Sequence, residues 1–197
     1  MRLPIKGKMM LTKGSWFKKV ILALTLASIG GGVFYYFYST KKQVEQGPIY
    51  DFDDGRDTQD ILNLFKEYRY WLLASDDYSP EYALKHRSPK MNPLYAGKLI
   101  IKVLREQGKF VGFVAYWKES PLRSQLLFLS IRPELRGKRY SEKLMRYALD
   151  DMKNMGIKKV WLVTRTSNLA AQKVYNRMGY YETSRNNGYV YFEKVLE

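Results

Sequence analysis

QLLFLSIRPELRGKRYSEKL, residues 125–144, is the stretch from which the reading of this chain starts. Gln125–Ile131 is dense in large apolar residues and closes before Pro133. That pattern predicts a strand buried on both faces. Arg136, Gly137, Lys138 and Arg139 then form a basic turn, and a helix is expected to follow to about Met155. Leu144, Ala148, Met152 and Met155 share one face at helical spacing, and Gly156 stops the run. A buried strand therefore feeds a glycine-containing basic turn that opens a helix. The first N–H groups of a helix have no intrahelical partner, and the helix dipole adds positive potential there. Such a turn suits phosphate. Taken alone, it reads equally as a solvated basic helix start.

Downstream, Lys159–Thr164 reads as a strand. Asn168 can cap a helix in which Ala171, Val174, Tyr175 and Met178 share a face, and Gly179 ends it. Tyr180–Ser184 and Tyr189–Val195 are strand-like and are joined through Asn186-Asn187-Gly188, a strong hairpin signal. Upstream, Lys98–Leu104 leads through Gln107-Gly108-Lys109 into Phe110–Trp117, a second hairpin. Before it, a helix is predicted to start at Asp57 or Thr58, with Ile61, Phe65, Tyr68 and Leu72 on one face. Residues 75–98 hold three of the seven prolines and no clean period, so a loop with one short helix around Pro80–Lys85 is expected. Residues 40–56 are polar and read as a linker. The order from Lys98 is three strands, helix, strand, helix, hairpin.

Composition bounds the rest. With 46% apolar residues, the 197-residue chain can bury a real core. The absence of cysteine excludes disulfides, cysteine–zinc sites and a cysteine nucleophile. No metal-ligand cluster is visible. The net charge is +15, and residues 1–47 hold eight of the 34 Lys/Arg but one of the 19 acids. The remainder is moderately basic, which favours anionic ligands in general; nucleic acid is not expected as a partner. Val20 to Tyr38 carries no charge. As a helix it would span roughly 28 Å, close to a bilayer's hydrocarbon thickness. Trp16 and Phe17 at one end and Tyr35–Tyr38 at the other suit the two interfaces. The expected organisation is a basic tail over 1–15, a transmembrane helix over 16–39, the linker, and one domain over 57–197. A cleaved signal peptide, with Ser28-Ile29-Gly30 as cleavage site, and a buried core helix are the competing readings of the apolar run. Cleavage would leave Val33–Tyr38 exposed, and the flanking lysines oppose burial.

The element order and two motifs resemble the GNAT N-acetyltransferase superfamily over residues from about 57 to 197. Arg136-Gly137-Lys138-Arg139-Tyr140-Ser141 resembles the family's pyrophosphate-binding motif, R/Q-x-x-G-x-G/A. Asn168 to Tyr175, followed by Gly179-Tyr180, resembles its second signature, N-x-x-A-x-x-x-Y followed by G-F/Y. The resemblance implies a mixed, mostly antiparallel central sheet flanked by helices, an α/β (α+β) fold. It also implies acetyl-CoA as co-substrate and an amine as acceptor. Arg139 stands where the family's first glycine is expected, so a positive φ there would carry strain; Ser141 replaces the final Gly/Ala.

By the same resemblance, the backbone and bases of Arg136, Gly137, Lys138, Arg139, Tyr140 and Ser141 hold the pyrophosphate. The pantetheine arm runs along the third strand near Leu129, Ile131 and Arg132, where a backbone N–H stabilises the oxyanion formed during transfer. Asn168 contacts the cofactor, and Tyr175 is the general acid for the leaving thiolate. Asn168 is also a plain helix cap, and Tyr175 shares a face with Val174 and Met178, the pattern of a core residue. Candidates for a general base are Glu119, Asp76, Asp77 and His86. Asp76, Asp77, Tyr78 and Tyr82 would suit a cationic amine. Three functions follow: a membrane-anchored N-acetyltransferase, an inactive GNAT-fold binding module, or a membrane-surface adaptor. The excess of bases before Val20 places the domain outside the cytosol, whereas acetyl-CoA supply favours the cytosolic side.

Overall fold

The computed structural model describes residues 48–73, 79–85 and 99–197. The transmembrane segment expected at 16–39 lies outside them, as do Asp76, Asp77, Tyr78 and His86. No helix among the described residues is long and apolar enough to cross a membrane. Strand β1 (Ile49–Asp51) precedes helices α1 (Asp54–Leu72) and α2 (Pro80–Lys85). Strands β2 (Ile100–Glu106), β3 (Lys109–Lys118) and β4 (Arg123–Ile131) follow, then a short 3-10 turn over Pro133–Leu135. Helix α3 (Tyr140–Asn154), strand β5 (Lys159–Arg165), helix α4 (Leu169–Arg177) and the hairpin β6 (Tyr181–Asn186) and β7 (Tyr189–Val195) complete the chain. From β2 onward this is the expected order.

The seven strands among the described residues form one sheet in the order β1-β2-β3-β4-β5-β7-β6. Every pairing is antiparallel except β4 with β5. Because side chains alternate across a strand, the sheet has two apolar faces. On β3, Val114 and Tyr116 join the cluster under α3, where Leu144, Ala148 and Met152 are fully buried. Phe113 and Ala115 join the other cluster, against Ile61, Leu64 and Phe65 of α1. The Phe65 ring meets Phe128 edge-on at 4.9 Å and Phe113 at 5.9 Å. In the β6–β7 turn, Asn187 (φ 47°) and Gly188 (φ 79°) both take positive φ, as a type I′ hairpin requires.

The entry to the fold differs from expectation. Residues read as linker include β1, which pairs with β2 through Ile49, Tyr50 and Asp51. Helix α1 starts three residues before Asp57. Asp53 is its cap, its Oδ1 accepting from the Arg56 N–H at 2.8 Å. Asp57 is fully buried, and its Oδ2 accepts from the Asp53 N–H at 2.9 Å. Asp51 stays exposed and pairs with Lys102 of β2 at 2.6 Å, and Asp53 caps the helix.

Candidate active site

Parallel pairing of β4 with β5 is confined to Arg123–Lys159, Ser124–Val160 and Gln125–Trp161. Beyond it β4 runs on to Ile131 and β5 to Arg165, and the two strands diverge. A cleft of about 690 Å³ opens between them. Leu127, Leu129 and Ile131 form one wall, and Leu162, Thr164 and Arg165 the other. The strand is irregular on the cleft side. Ala115 pairs with Phe128 and Tyr116 with Leu126, so Leu127 has no partner on β3 and forms a β-bulge.

The turn after β4 closes one end of the cleft through Arg136, Gly137, Arg139, Tyr140 and Ser141. Gly137 has φ 80° and Arg139 φ 63°, ψ 17°. A left-handed conformation costs a residue with a Cβ roughly 1 kcal/mol or more, so the strain anticipated at Arg139 is present. Arg139 is the N-cap of α3 and provides no side-chain cap. Lys143 N–H reaches the Arg139 carbonyl at 3.2 Å, and the preceding amides of Tyr140, Ser141 and Glu142 have no partner among the described residues. Successive N–H groups around a left-handed residue at a helix start form an anion-binding concavity. Arg136 is not a free cation: its Nε donates to the Ile131 carbonyl at 3.0 Å and its guanidinium stacks on Tyr68 at 4.3 Å. That pins the turn to the end of β4.

Helix α4 forms the far wall. Asn168 caps it, its Oδ1 accepting from the Ala171 N–H at 3.3 Å, and also lines the cleft. Tyr175 lines the cleft as well, with its ring against Tyr180 (6.1 Å) and Phe192 (5.7 Å). The core reading of this residue fits its ring, which belongs to the buried cluster beneath α3. Burial pushes the Tyr175 hydroxyl up to about 12, so it holds its proton throughout the neutral range. Arg177, two residues on, donates to Glu142 Oε1 at 3.0 and 3.1 Å, tying α4 to the first turn of α3.

Behind Tyr175, Tyr180 carries a buried hydroxyl with no partner among the described residues. Burial, aided by Tyr175, pushes its pKa up, so the hydroxyl stays protonated. An unsatisfied buried hydroxyl costs folding free energy. Tyr180→Phe is therefore expected to raise the unfolding free energy by about 1 kcal/mol, read as a higher urea midpoint at unchanged slope.

Two expected cofactor contacts fall elsewhere. The Arg132 N–H is spent on the Val111 carbonyl at 2.9 Å and its guanidinium on Glu134 at 2.5 Å; the residue extends the β3–β4 ladder and does not line the cleft. Lys138 is exposed and is also absent from the lining. Glu119 accepts from Trp161 Nε1 at 2.8 Å at the zipped end of β4 and β5, away from the cleft. No Asp, Glu or His is among the described lining residues. Other lining residues had not been singled out. Tyr68 and Trp71 come from the end of α1, where Tyr68 leaves helical geometry (φ −115°, ψ 28°). Arg165 lies between the rings of Tyr70 (3.9 Å) and Tyr189 (5.3 Å), and donates to the carbonyls of Tyr70 at 2.6 Å and Leu73 at 3.3 Å. A lone arginine at a strand end carries no sequence signal for that role, and neither does a bulge within a run of leucines.

Comparison with known proteins places this geometry. A family model described as the acetyltransferase (GNAT) family matches residues 58–180. N-alpha-acetyltransferase 30 of Schizosaccharomyces pombe is 33% identical over 82 residues, 40% of this chain. The matched stretch spans 55% of that relative, about half its length. Ard1 from Thermoplasma volcanium superposes with a TM-score of 0.59 at 17% identity, over 77% of this chain and 99% of that one. PaiA N-acetyltransferase from Thermoplasma acidophilum, in complex with coenzyme A, gives 0.59 at 16% identity, over 76% and 98%. At these identities the structural neighbours share the fold.

Proposed function

The chain belongs to the acetyltransferase (GNAT) family, and from that premise we propose that it transfers acetyl from acetyl-CoA to an amine. The observation that carries this reading is the unzipped pair β4–β5 with an anion-binding turn at its end. The fit to acetyl-CoA is physical. The amides of Tyr140, Ser141 and Glu142 suit a pyrophosphate, and the apolar walls at Leu129, Ile131 and Val174 suit an uncharged arm. When bound, acetyl-CoA supplies a thioester whose acyl group an amine can accept.

The residues divide the work. Arg136 holds the turn against β4, while Arg139 and the amides at the start of α3 attract phosphate. Leu129 and Ile131 offer the unpaired edge of β4 to an extended ligand, and the bulge at Leu127 frees backbone there from the sheet ladder. Asn168 orders the start of α4. Tyr175 Oη, protonated at neutral pH, is the proton donor within the cleft. The acceptor proposed is the α-amine of a polypeptide, a reading that rests on the relative named an N-alpha-acetyltransferase. Residues 16–39 are proposed as a membrane anchor, on the uncharged run Val20–Tyr38 and its aromatic flanks.

Titration calorimetry of acetyl-CoA into the full-length chain tests the reading. Binding is expected, and Ser141→Asp is expected to weaken it about tenfold or more by placing a like charge beside the phosphates. An acid in the first turn suits the helix dipole, so that variant should fold as well as the wild type. A folded wild-type chain that fails to bind acetyl-CoA at millimolar concentration would overturn the proposal. Binding without transfer to any peptide amine would favour the binding-module reading.

A further inference from the structure

The anion-binding turn has an internal weakness. Its backbone requires a left-handed arginine, and no side chain caps the helix that follows. Amides held in a strained turn form a site only where neighbouring structure over-determines their positions. On the β4 side that support is the bond from Arg136 to Ile131. On the α3 side it comes from a different part of the sheet. Tyr140, the first residue of α3, is 2% exposed and belongs to the core cluster. Its hydroxyl donates to Glu106 Oε2 at 2.6 Å. Glu106 is the last residue of β2, immediately before the tight Gln107-Gly108 turn, and pairs in register with Lys109 of β3. The carboxylate thus sits on a short, stiff hairpin, and its bond to a hydroxyl is charge-assisted and directional. A buried hydroxyl needs only some acceptor; here the acceptor is a charge from two strands away, bonded to the residue adjoining Arg139.

Resting on the acetyltransferase reading, we propose that Glu106 is a positioning residue for the cofactor's phosphates, acting through the Tyr140 hydroxyl to hold the first turn of α3 in its anion-binding geometry. The half-buried Glu106 carboxylate serves cofactor affinity through its bond to Tyr140, and Glu106 itself touches no reacting atom. Lys143, one turn into α3, lies in the field of the same carboxylate, which raises its ionisation against the larger lowering effect of burial.

The test compares Tyr140→Phe, Glu106→Ala, their double variant and Glu106→Gln in the full-length chain. Each of the first two is expected to raise Kd and KM for acetyl-CoA about tenfold, the scale of one charge-assisted hydrogen bond, with kcat within about twofold of the wild type. The double variant should lose no more than either single one, because both remove the same bond. Glu106→Gln, which keeps an acceptor oxygen, should recover most of the affinity. Amide hydrogen exchange without ligand should quicken over residues 137–142 in Tyr140→Phe and stay unchanged in β5. Unchanged Kd with unchanged exchange in Tyr140→Phe would overturn the proposal, as would losses that multiply in the double variant or a fall confined to kcat. Should the wild type itself not bind acetyl-CoA, the functional reading fails separately, and the exchange comparison still decides whether Glu106 braces the turn.

Discussion

Tyr175→Phe is expected to lower kcat by about 10²–10⁴-fold, the contribution of a positioned general acid, while leaving the Kd for acetyl-CoA within about threefold. The ring is anchored by Tyr180 and Phe192 and should stay in place without its hydroxyl. What is lost is a proton held at Oη in a cleft whose described lining offers no carboxylic acid or histidine. Because burial pushes this hydroxyl up to about 12, the group is in its donating form at every pH at which the protein would be assayed. The wild-type rate should therefore show no alkaline decline attributable to Tyr175 below about pH 11. Steady-state rates with saturating peptide amine, together with calorimetric Kd values, check this. A variant with near wild-type kcat would return Tyr175 to a core role.

The second large effect concerns stability. Asp57→Ala is expected to cost about 3–5 kcal/mol, the penalty for removing one partner of a buried ion pair. Asp57 Oδ1 accepts from Arg105 Nη2 at 2.6 Å and from Arg56 Nε at 3.0 Å; Oδ2 accepts from Arg56 Nη2 at 2.8 Å and the Asp53 N–H at 2.9 Å. Without the carboxylate, Arg105, whose side chain is 12% exposed, retains Asp60 at 3.1 Å as its neighbouring acid. Burial alone would raise this carboxyl, but the bonds from Arg56, the Asp53 N–H and Arg105 outweigh it and hold it below its ordinary value. A lowered folded-state value means that the stabilisation is present at neutral pH and is lost as pH falls from about 4 through that value. The gap in unfolding free energy between wild type and Asp57→Ala should accordingly be constant from pH 7 to about 5 and narrow below about 4. Urea unfolding at a series of pH values reads this directly; a gap independent of pH would mean that packing of the α1 start, and not the charge, is what Asp57 provides.

The two aspartates show where legibility ended. The sequence points to Asp57 or Thr58 as the cap of α1, and the structure uses Asp53. The difference depends on Arg105, 48 residues away, which holds Asp57 in the core, while Asp53 caps α1. Arg132 shows the same limit within the site. It adjoins the strand expected to hold a ligand, yet its N–H belongs to Val111. Whether a backbone donor is free depends on the register of the neighbouring strand, which the residue's own neighbours in sequence do not encode.

Local pattern determined a good deal by itself. The element order from Lys98, the I′ turn at Asn187-Gly188, the cap at Asn168 and the basic turn at a helix start all follow from interactions spanning a few residues, where periodicity and turn chemistry act. Even the strain at Arg139 was foreseeable from the motif it interrupts. The tertiary structure decided what depends on distant chain segments meeting: the divergence of β4 from β5 that makes the cleft, the bulge at Leu127, and the bracing of the anion turn by Arg136 and by Glu106 through Tyr140. Each is a property of strand register or of a side chain reaching across the sheet, and such contacts are set by packing of the whole fold rather than by any short run of residues.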